Sequence, residues 1–515
     1  MAQKSRQSWG SKLGIIMAVA GSAVGLGNFL RFPVQAAQNG GGAFMIPYFA
    51  ALLLLGIPLM WIEWSLGRYG GGFGHGTAPG IFHSLRQKNR FIKYFGVIGI
   101  FGPIAVLVYY TYIESWTLAY SFFALTGKYA GATTQAQLQS FLSAFQGLEA
   151  NRYFNSLQTA YVFFLITFAL NIFVLYHGIK GGIESLCKIA LPALMIFGVL
   201  IAARILLLGI PDPLRPDWNA LNGMGFLWNP DLTALKDPKV WLAAAGQIFF
   251  TLSIGMGVIL TYASYLKKTD DVTLSGLTAV GMNEFAEVII GGSIAITAAY
   301  AFFGPAGAQE VAKSGSFNLG FVTMPAVFSR IPFSAVFGFL WFMMLFLAGI
   351  TSSVSLAQPA VAFLEDEFNL GRKRALGILT AVFFVLCQPA IFFLGKGVVD
   401  EMDFWGGTFC FVLFAAIEAI LFTWVFGMDK AWEEMHHGAE LRIPRAYKFV
   451  MRYVTPSFLI VILGSYILSE GGRNTILMVN VPDANRPYIL GTRLLLIGML
   501  AGLVVLVRFA WKDKR

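Results

Sequence analysis

Gly21-Ser22-Ala23-Val24-Gly25-Leu26-Gly27-Asn28 lies midway along the first long apolar segment, 11–38, and its reading decides the fold. Glycines at 21, 25 and 27 weaken a helix at the depth where a membrane span must be continuous. A helix that stops there leaves carbonyl and N–H groups without partners in hydrocarbon. That is costly, so those groups must line a cavity or hold something. A second stretch of the same kind, Thr251-Leu252-Ser253-Ile254-Gly255-Met256-Gly257, interrupts a later apolar segment. Two discontinuous helices in corresponding places point to a secondary-transporter binding site.

The rest of the chain agrees with a membrane setting. Its 515 residues are 57% hydrophobic and 12% charged, with a mean hydropathy of +0.67. A soluble domain of that balance would precipitate, whereas a multi-span membrane protein requires it. The net charge of +10 does not indicate nucleic acid, because the basic residues gather in short loops between apolar runs. Cys187, Cys387 and Cys410 lie in or beside apolar runs without a C-x-x-C pair. They read as small buried hydrophobes rather than as a disulfide or a metal site. Met1-Ala2-Gln3-Lys4-Ser5-Arg6 precedes no cleavage signal, so the first apolar run reads as a retained span.

An all-α membrane protein with twelve spans is expected. They run near 11–38, 41–70, 90–124, 158–176, 183–209, 241–267, 275–305, 332–368, 373–396, 402–427, 446–469 and 487–510. The third and eighth are long enough to tilt or project beyond the bilayer. Lys4, Arg6 and Lys12 precede span one; Arg68, Arg86, Lys88, Arg90 and Lys93 follow span two. Arg372, Lys373 and Arg374 follow span eight, and Arg508, Lys512, Lys514 and Arg515 close the chain. This spacing puts both termini in the cytoplasm. Segments 125–157 and 306–331 are then outside, and the charged stretch 428–445 is inside as an amphipathic surface helix. The whole of 1–515 reads as one membrane domain. Span six stands five spans after span one, and an odd offset inverts it. That fits one repeat over about 11–209, an inverted second over about 241–427, and two further helices over about 446–510.

Gly25-Leu26-Gly27-Asn28-Phe29-Leu30-Arg31-Phe32-Pro33 followed by Asn39-Gly40-Gly41-Gly42-Ala43-Phe44 resembles the first two helices of the neurotransmitter:sodium symporters. The resemblance is closest to the bacterial leucine-transporting members, whose arrangement is the LeuT-like five-plus-five fold with helices 1 and 6 broken. It continues in Tyr112-Ile113-Glu114-Ser115-Trp116, Gln247-Ile248-Phe249-Phe250-Thr251-Leu252-Ser253 and Ser275-Gly276-Leu277-Thr278-Ala279. It reappears in Ala348-Gly349-Ile350-Thr351-Ser352-Ser353 and Asp400-Glu401-Met402-Asp403-Phe404-Trp405. It covers nearly the whole chain and is weakest over 125–157 and the last two spans.

The resemblance implies a sodium-coupled symporter for hydrophobic or aromatic L-amino acids, working by alternating access in the inner membrane of a prokaryote. Two sodium ions and no organic cofactor are expected, with the lipid bilayer as surroundings, no nucleic-acid partner, and a homodimer left open. The first sodium would sit among Ala23, Asn28, Thr251 and Asn283. The second would sit among Gly21, Val24, Ala348, Thr351 and Ser352. Neutral oxygens suit a hard monovalent ion that must also leave. Taken singly, Thr351 or Ser352 reads more simply as a hydroxyl bonded to its own helix.

By the same resemblance the substrate carboxylate rests on the N–H groups of Leu26 and Gly27, at a helix N-terminus, with the Tyr110 hydroxyl beside them. Its ammonium group meets Ala23, Phe250, Thr251 and Ser253. Its side chain meets Val106, Ile113, Phe250, Met256, Ser352 and Leu356. Gly25 stands where amine-transporting members carry an aspartate, which favours an amino acid over a decarboxylated amine. Met256 replaces a phenylalanine of the leucine-transporting members and leaves Leu, Met, Phe, Tyr and Trp open as substrates. Arg31, Gln247 and Asp403 form an outer gate. Arg6 and Asp366 form an inner latch, with Trp9, Ser264 and Tyr265. Glu287 takes the place of the chloride required by eukaryotic members, so transport is expected to be chloride-independent, with proton counter-movement through Glu287 left open. Glu63, Glu114 and Glu418 read as structural acids bonded to backbone.

Enzyme signatures are lacking: Gly25-x-Gly27 is followed by Leu30 where a dinucleotide loop needs glycine, and no P-loop spacing surrounds Gly127-Lys128 or Gly395-Lys396. A proton-driven transporter of the same fold and a non-transporting amino-acid receptor are the alternative readings.

Overall fold

The computed structural model describes residues 7–89 and 91–512. Lys4, Arg6, Arg90, Lys514 and Arg515, all used above to orient the chain, lie outside the described residues. Within them the chain is helical, without a β-strand; an isolated bridge joins Gly41 to Pro230. Ten helices are long and apolar enough to cross a membrane, and the bent pair Lys12–Ala23 and Leu26–Gln38 makes an eleventh span. The remaining expected span, the sixth, near 241–267, consists of Pro238–Leu252 and Val258–Ala263, each too short to cross alone. The long third and eighth spans are Ile98–Thr126 and Ser334–Glu367.

Burial sorts the spans into an inner and an outer set. In the most apolar stretch of Ile92–Thr126, 83% of residues are buried, against 17% in Arg486–Ala510. The inner set surrounds the two broken helices, and the outer set turns Leu, Ile, Val and Phe side chains outward, as lipid requires.

Local chemistry explains both breaks. Span one ends its first half at Ala23 and restarts at Leu26, with a 48° bend. Span six stops at Leu252, and Ser253, Gly255 and Gly257 all adopt left-handed backbone, with φ of 53°, 73° and 70°. Gly257 is required twice over: a Cβ there would meet the Gly99 carbonyl oxygen at 2.2 Å.

Two wide π turns place further side chains. Phe285–Gly291 carries Glu287, and Gly291 lets it approach span one so closely that a Cβ would lie 2.2 Å from the Asn28 carbonyl. Asp403–Phe409 carries Asp403, and a Cβ on its Gly406 would lie 2.5 Å from that of Ala105. Such turns recur at functional sites because the extra residue re-aims its neighbours.

The orienting basic residues need one amendment. Arg68 is not a loop charge but a buried residue of Ile57–Gly71, 2% exposed. It bonds Glu434, the Glu434 carbonyl, and the carbonyls of Asp270 and His437 at 2.6 and 2.7 Å. The stretch expected as a surface helix at 428–445 is therefore tied in: Met428–His436 buries Met435, whose carbonyl accepts from Thr273 Oγ1 at 3.0 Å.

Candidate functional site

The peptide groups freed by the two breaks are handed to side chains. The Gly25 N–H donates to Asn28 Oδ1 at 2.9 Å, and the Leu26 N–H to the Tyr110 hydroxyl at 3.5 Å. The Ser22 carbonyl accepts from Ser253 Oγ at 2.9 Å and from Ser352 Oγ at 3.1 Å. The Gly255 N–H donates to Glu63 at 2.6 Å. Each group left unpaired at this depth would cost several kcal/mol, about the scale of an unpaired polar group in hydrocarbon. These bonds therefore hold the interruptions open.

Four residues expected at the first sodium converge on one buried point. Asn28 Nδ2 donates to Thr251 Oγ1 at 3.2 Å and to Asn283 Oδ1 at 2.8 Å. In the alternative orientation of the Asn283 amide, which replaces that bond from Asn28, its nitrogen donates to the carbonyls of Ala23 and Thr251 at 3.2 Å each, and its oxygen accepts from Thr251 Oγ1 at 2.9 Å. Ala23, Asn28, Thr251 and Asn283 are all buried. The donor set is carbonyl, amide and hydroxyl, which is the chemistry of a hard cation.

The residues expected at the second sodium lie where span one meets span eight. A Cβ on Gly21 would sit 3.3 Å from Thr351 Cβ, so the helices touch there. Thr351 Oγ1 donates to the Leu347 and Ala348 carbonyls at 3.0 and 3.2 Å, and Ser352 Oγ to Ala348 at 3.0 Å. These are the ordinary back-bonds of hydroxyls in membrane helices. The Ser352–Ser22 bond reaches across to the break. Val24 is fully buried.

The substrate residues frame the same centre. A Cβ on Gly25 would lie 3.1 Å from Ser352 Oγ and 3.3 Å from the Tyr110 hydroxyl. Phe250 presses on Gly27, where a Cβ would lie 2.4 Å from its Cε1. Val106, Ile113, Met256, Ser352 and Leu356 are each 7% exposed or less. Ser253 spends its hydroxyl on Ser22 rather than turning it toward an ammonium group.

The expected outer-gate residues are not joined. Arg31 stacks over the Phe250 ring at 4.4 Å, and no ion pair within 4.0 Å links it to Asp403. Asp403 accepts from Tyr109 instead. Gln247 turns to Glu287 at 2.9 Å. On the opposite side Trp9 donates to the Tyr262 carbonyl at 2.9 Å and stacks edge-on against that ring. Ser264 bonds the Thr261 carbonyl, Tyr265 accepts from Gln358, and Asp366 sits half-buried near the end of Ser334–Glu367. Arg6, the expected partner of Asp366, lies outside the described residues.

Glu287 is fully buried and accepts from Gln247, Thr251 and Tyr48, the last at 3.0 Å. The same Tyr48 hydroxyl lies 2.8 Å from Glu284. Of the other acids, Glu63 bonds backbone as expected and lies against Glu418. Glu114 does not bond backbone: it accepts from Asn171 Nδ2, and Asn171 in turn accepts from Ser353 at 2.6 Å. Tyr48, Tyr109, Glu284 and the Ser22 carbonyl were not anticipated. Only Tyr109 carried a signal, its place next to Tyr110.

Comparisons with known proteins bear on this geometry. The sequence pattern of the Sodium:neurotransmitter symporter family matches residues 6–147 and 134–508. The chain is 33% identical to an uncharacterized sodium-dependent transporter of Methanocaldococcus jannaschii, over 92% of this chain and 93% of that protein. It is 27% identical to the sodium-dependent serotonin transporter of Drosophila melanogaster, over 90% of this chain and 76% of that protein. A solved structure, MhsT in complex with L-phenylalanine, aligns with a TM-score of 0.76 at 29% identity, covering 90% of this chain and all of that one.

Proposed function

Because this chain belongs to the sodium:neurotransmitter symporter family and is a multi-pass sodium-dependent transporter rather than an enzyme, we propose that it carries hydrophobic or aromatic L-amino acids inward together with two sodium ions. The observation that carries the reading is the meeting of Ala23, Asn28, Thr251 and Asn283 beside the Leu26 N–H and the Tyr110 hydroxyl. Neutral oxygens for a cation and N–H donors for a carboxylate stand side by side, so a zwitterion and sodium complete each other's shells. Gly25 adds to this: it supplies no charge for a bare amine. The apolar wall of Val106, Ile113, Met256 and Leu356 fits an apolar side chain. The structural neighbour's complex with L-phenylalanine is consistent with that choice.

Two inverted five-helix repeats would rock about the breaks to expose the site to each side in turn. The separation of Arg31 from Asp403, with Trp9 docked on Tyr262, supports an outward-facing arrangement. Two sodium ions crossing about 100 mV and a tenfold gradient supply about 7 kcal/mol, enough for roughly 10⁵-fold accumulation. Glu287, held by Gln247, Thr251 and Tyr48, would take the place that chloride fills in eukaryotic members.

The test is uptake of labelled L-phenylalanine into proteoliposomes with a sodium gradient, competed by each of the twenty standard amino acids. Accumulation should need sodium, survive replacement of chloride by gluconate, and be blocked by apolar and aromatic competitors. Uptake that persists without sodium, or competition by charged amino acids alone, would end the proposal.

A further inference from the structure

Away from the transport site, a cavity of about 470 Å³ opens where spans five, seven and eight end on the side opposite the N-terminus. Three arginines line it. Arg204 stands in the last turn of Ile179–Leu206, Arg215 in the loop that follows, and Arg330 just ahead of Ser334–Glu367. Arg215 has a carboxylate, Asp212, at 3.8 Å. Arg204 and Arg330 have none among the described residues; their guanidinium groups lie over Phe337 and Phe303, at 5.9 and 5.0 Å.

The wall is firmly set. Trp218 carries Arg215 at 4.1 Å and packs on Gly304, where a Cβ would meet its ring at 2.3 Å. The φ of 70° at Gly304 kinks the end of span seven to admit that ring. Arginines without acid partners are unusual here, since positive charge is generally kept to the cytoplasmic side. The same helix ends also expose an apolar apron, with Leu207 80% and Phe333 76% exposed.

We propose that this cavity holds the phosphate of an anionic phospholipid from the outer leaflet, with Arg204 and Arg330 grasping its oxygens and the acyl chains lying against Leu207 and Phe333. Guanidinium forks match phosphate oxygens in pairs. The apron places the anion at the bilayer edge, where a lipid arrives with its tails already in hydrocarbon. A zwitterionic amino acid fits less well, because the one acid in the cavity, Asp212, already faces Arg215.

The experiment is native mass spectrometry of the full chain in mild detergent, titrated with phosphatidylglycerol or phosphatidylcholine. A parallel arm measures thermal unfolding with millimolar inorganic phosphate. The wild type should retain phosphatidylglycerol in preference to phosphatidylcholine. R204Q/R330Q should retain it about thirtyfold less well, about fivefold for each charge removed near an anionic headgroup, and phosphate alone should not raise the melting temperature. Sodium-dependent uptake and a single symmetric elution peak report that the variant is folded. Should the pair not fold, R330Q alone, at an exposed position, should still show the fivefold loss. Equal retention by wild type and variant would overturn the proposal. So would stabilisation by inorganic phosphate that matches phosphatidylglycerol and vanishes in R204Q/R330Q, which would make the ligand a soluble anion.

Discussion

Glu63 of span two accepts the Gly255 N–H at 2.6 Å, in the middle of the broken stretch of span six. Gly255 has left-handed backbone, and a Cβ there would lie 2.2 Å from the Phe411 carbonyl, so glycine is required here and its N–H takes Glu63 as acceptor. The acceptor therefore matters more than the charge. Glu63→Gln keeps a carbonyl oxygen in place, whereas Glu63→Ala strands the N–H at a cost of about 1–3 kcal/mol. We expect E63A to lower the melting temperature and abolish most sodium-dependent uptake, and E63Q to stay near wild type in both. Equal loss in the two variants would show that the acceptor is not what holds the break.

The sodium residues make a second prediction. Asn283 meets Asn28, Thr251 and Ala23 at one point, and removing its amide takes away an oxygen that no neighbour replaces. Losing one ligand of a charged species is comparable to losing a hydrogen bond to a charge, about 1.5–3 kcal/mol. N283A should therefore raise the sodium concentration for half-maximal substrate binding by on the order of ten- to a hundredfold, read by scintillation proximity with labelled substrate. Thr351→Val should raise it as well while leaving the Asn283 cluster intact. An unchanged sodium curve in N283A would remove this cluster from the coupling mechanism.

Both breaks were legible because glycine spacing is local. Gly25 and Gly27 in one span, and Gly255 and Gly257 in the other, announce a failure of helical winding without any knowledge of what lies nearby. The residues at the breaks, together with the resemblance of their flanking motifs, led to Asn28, Thr251 and Asn283. What the sequence withheld depends on distant partners. The Ser22 carbonyl looks like any other until Ser253 and Ser352 are seen to converge on it. Arg68 reads as a loop charge until Glu434, 366 positions on, neutralises it. The π turns at Phe285–Gly291 and Asp403–Phe409 leave no mark in composition, yet they decide where Glu287 and Asp403 point. Gln247, expected at the outer gate, faces Glu287 instead, and only the packing of spans six and seven shows it.

Glu287 offers a direct test of the anion requirement. Tyr48, Gln247 and Thr251 all turn donors toward its carboxylate in a fully buried place. Glu287→Ser removes the acceptor and opens room for a small anion among the same donors. Uptake by E287S should fall at least tenfold in gluconate medium and recover when chloride is supplied, while wild-type uptake ignores the exchange. The measurement is initial rate of labelled substrate entry against chloride concentration. A variant that is equally active with and without chloride would deny Glu287 this role.

Met256 sets the last prediction, on which amino acid is preferred. It is 6% exposed in the stretch between Leu252 and Val258, where the helical frame gives least support to a side chain. An unbranched thioether there adjusts to the cargo, so the pocket accepts large side chains without a fixed shape. Met256→Phe exchanges that adaptable chain for a rigid ring and takes away volume. A change of about one methylene in an apolar pocket shifts discrimination by about 1–3 kcal/mol, roughly ten- to two-hundredfold. M256F should therefore lose affinity for tryptophan and phenylalanine by about tenfold or more relative to leucine, with alanine improved. Competition curves for these four amino acids against one labelled substrate measure it, at fixed sodium so that coupling does not intrude. The ratio of the tryptophan and leucine curves is the decisive quantity, because a general loss of folded protein moves both curves together and leaves that ratio untouched.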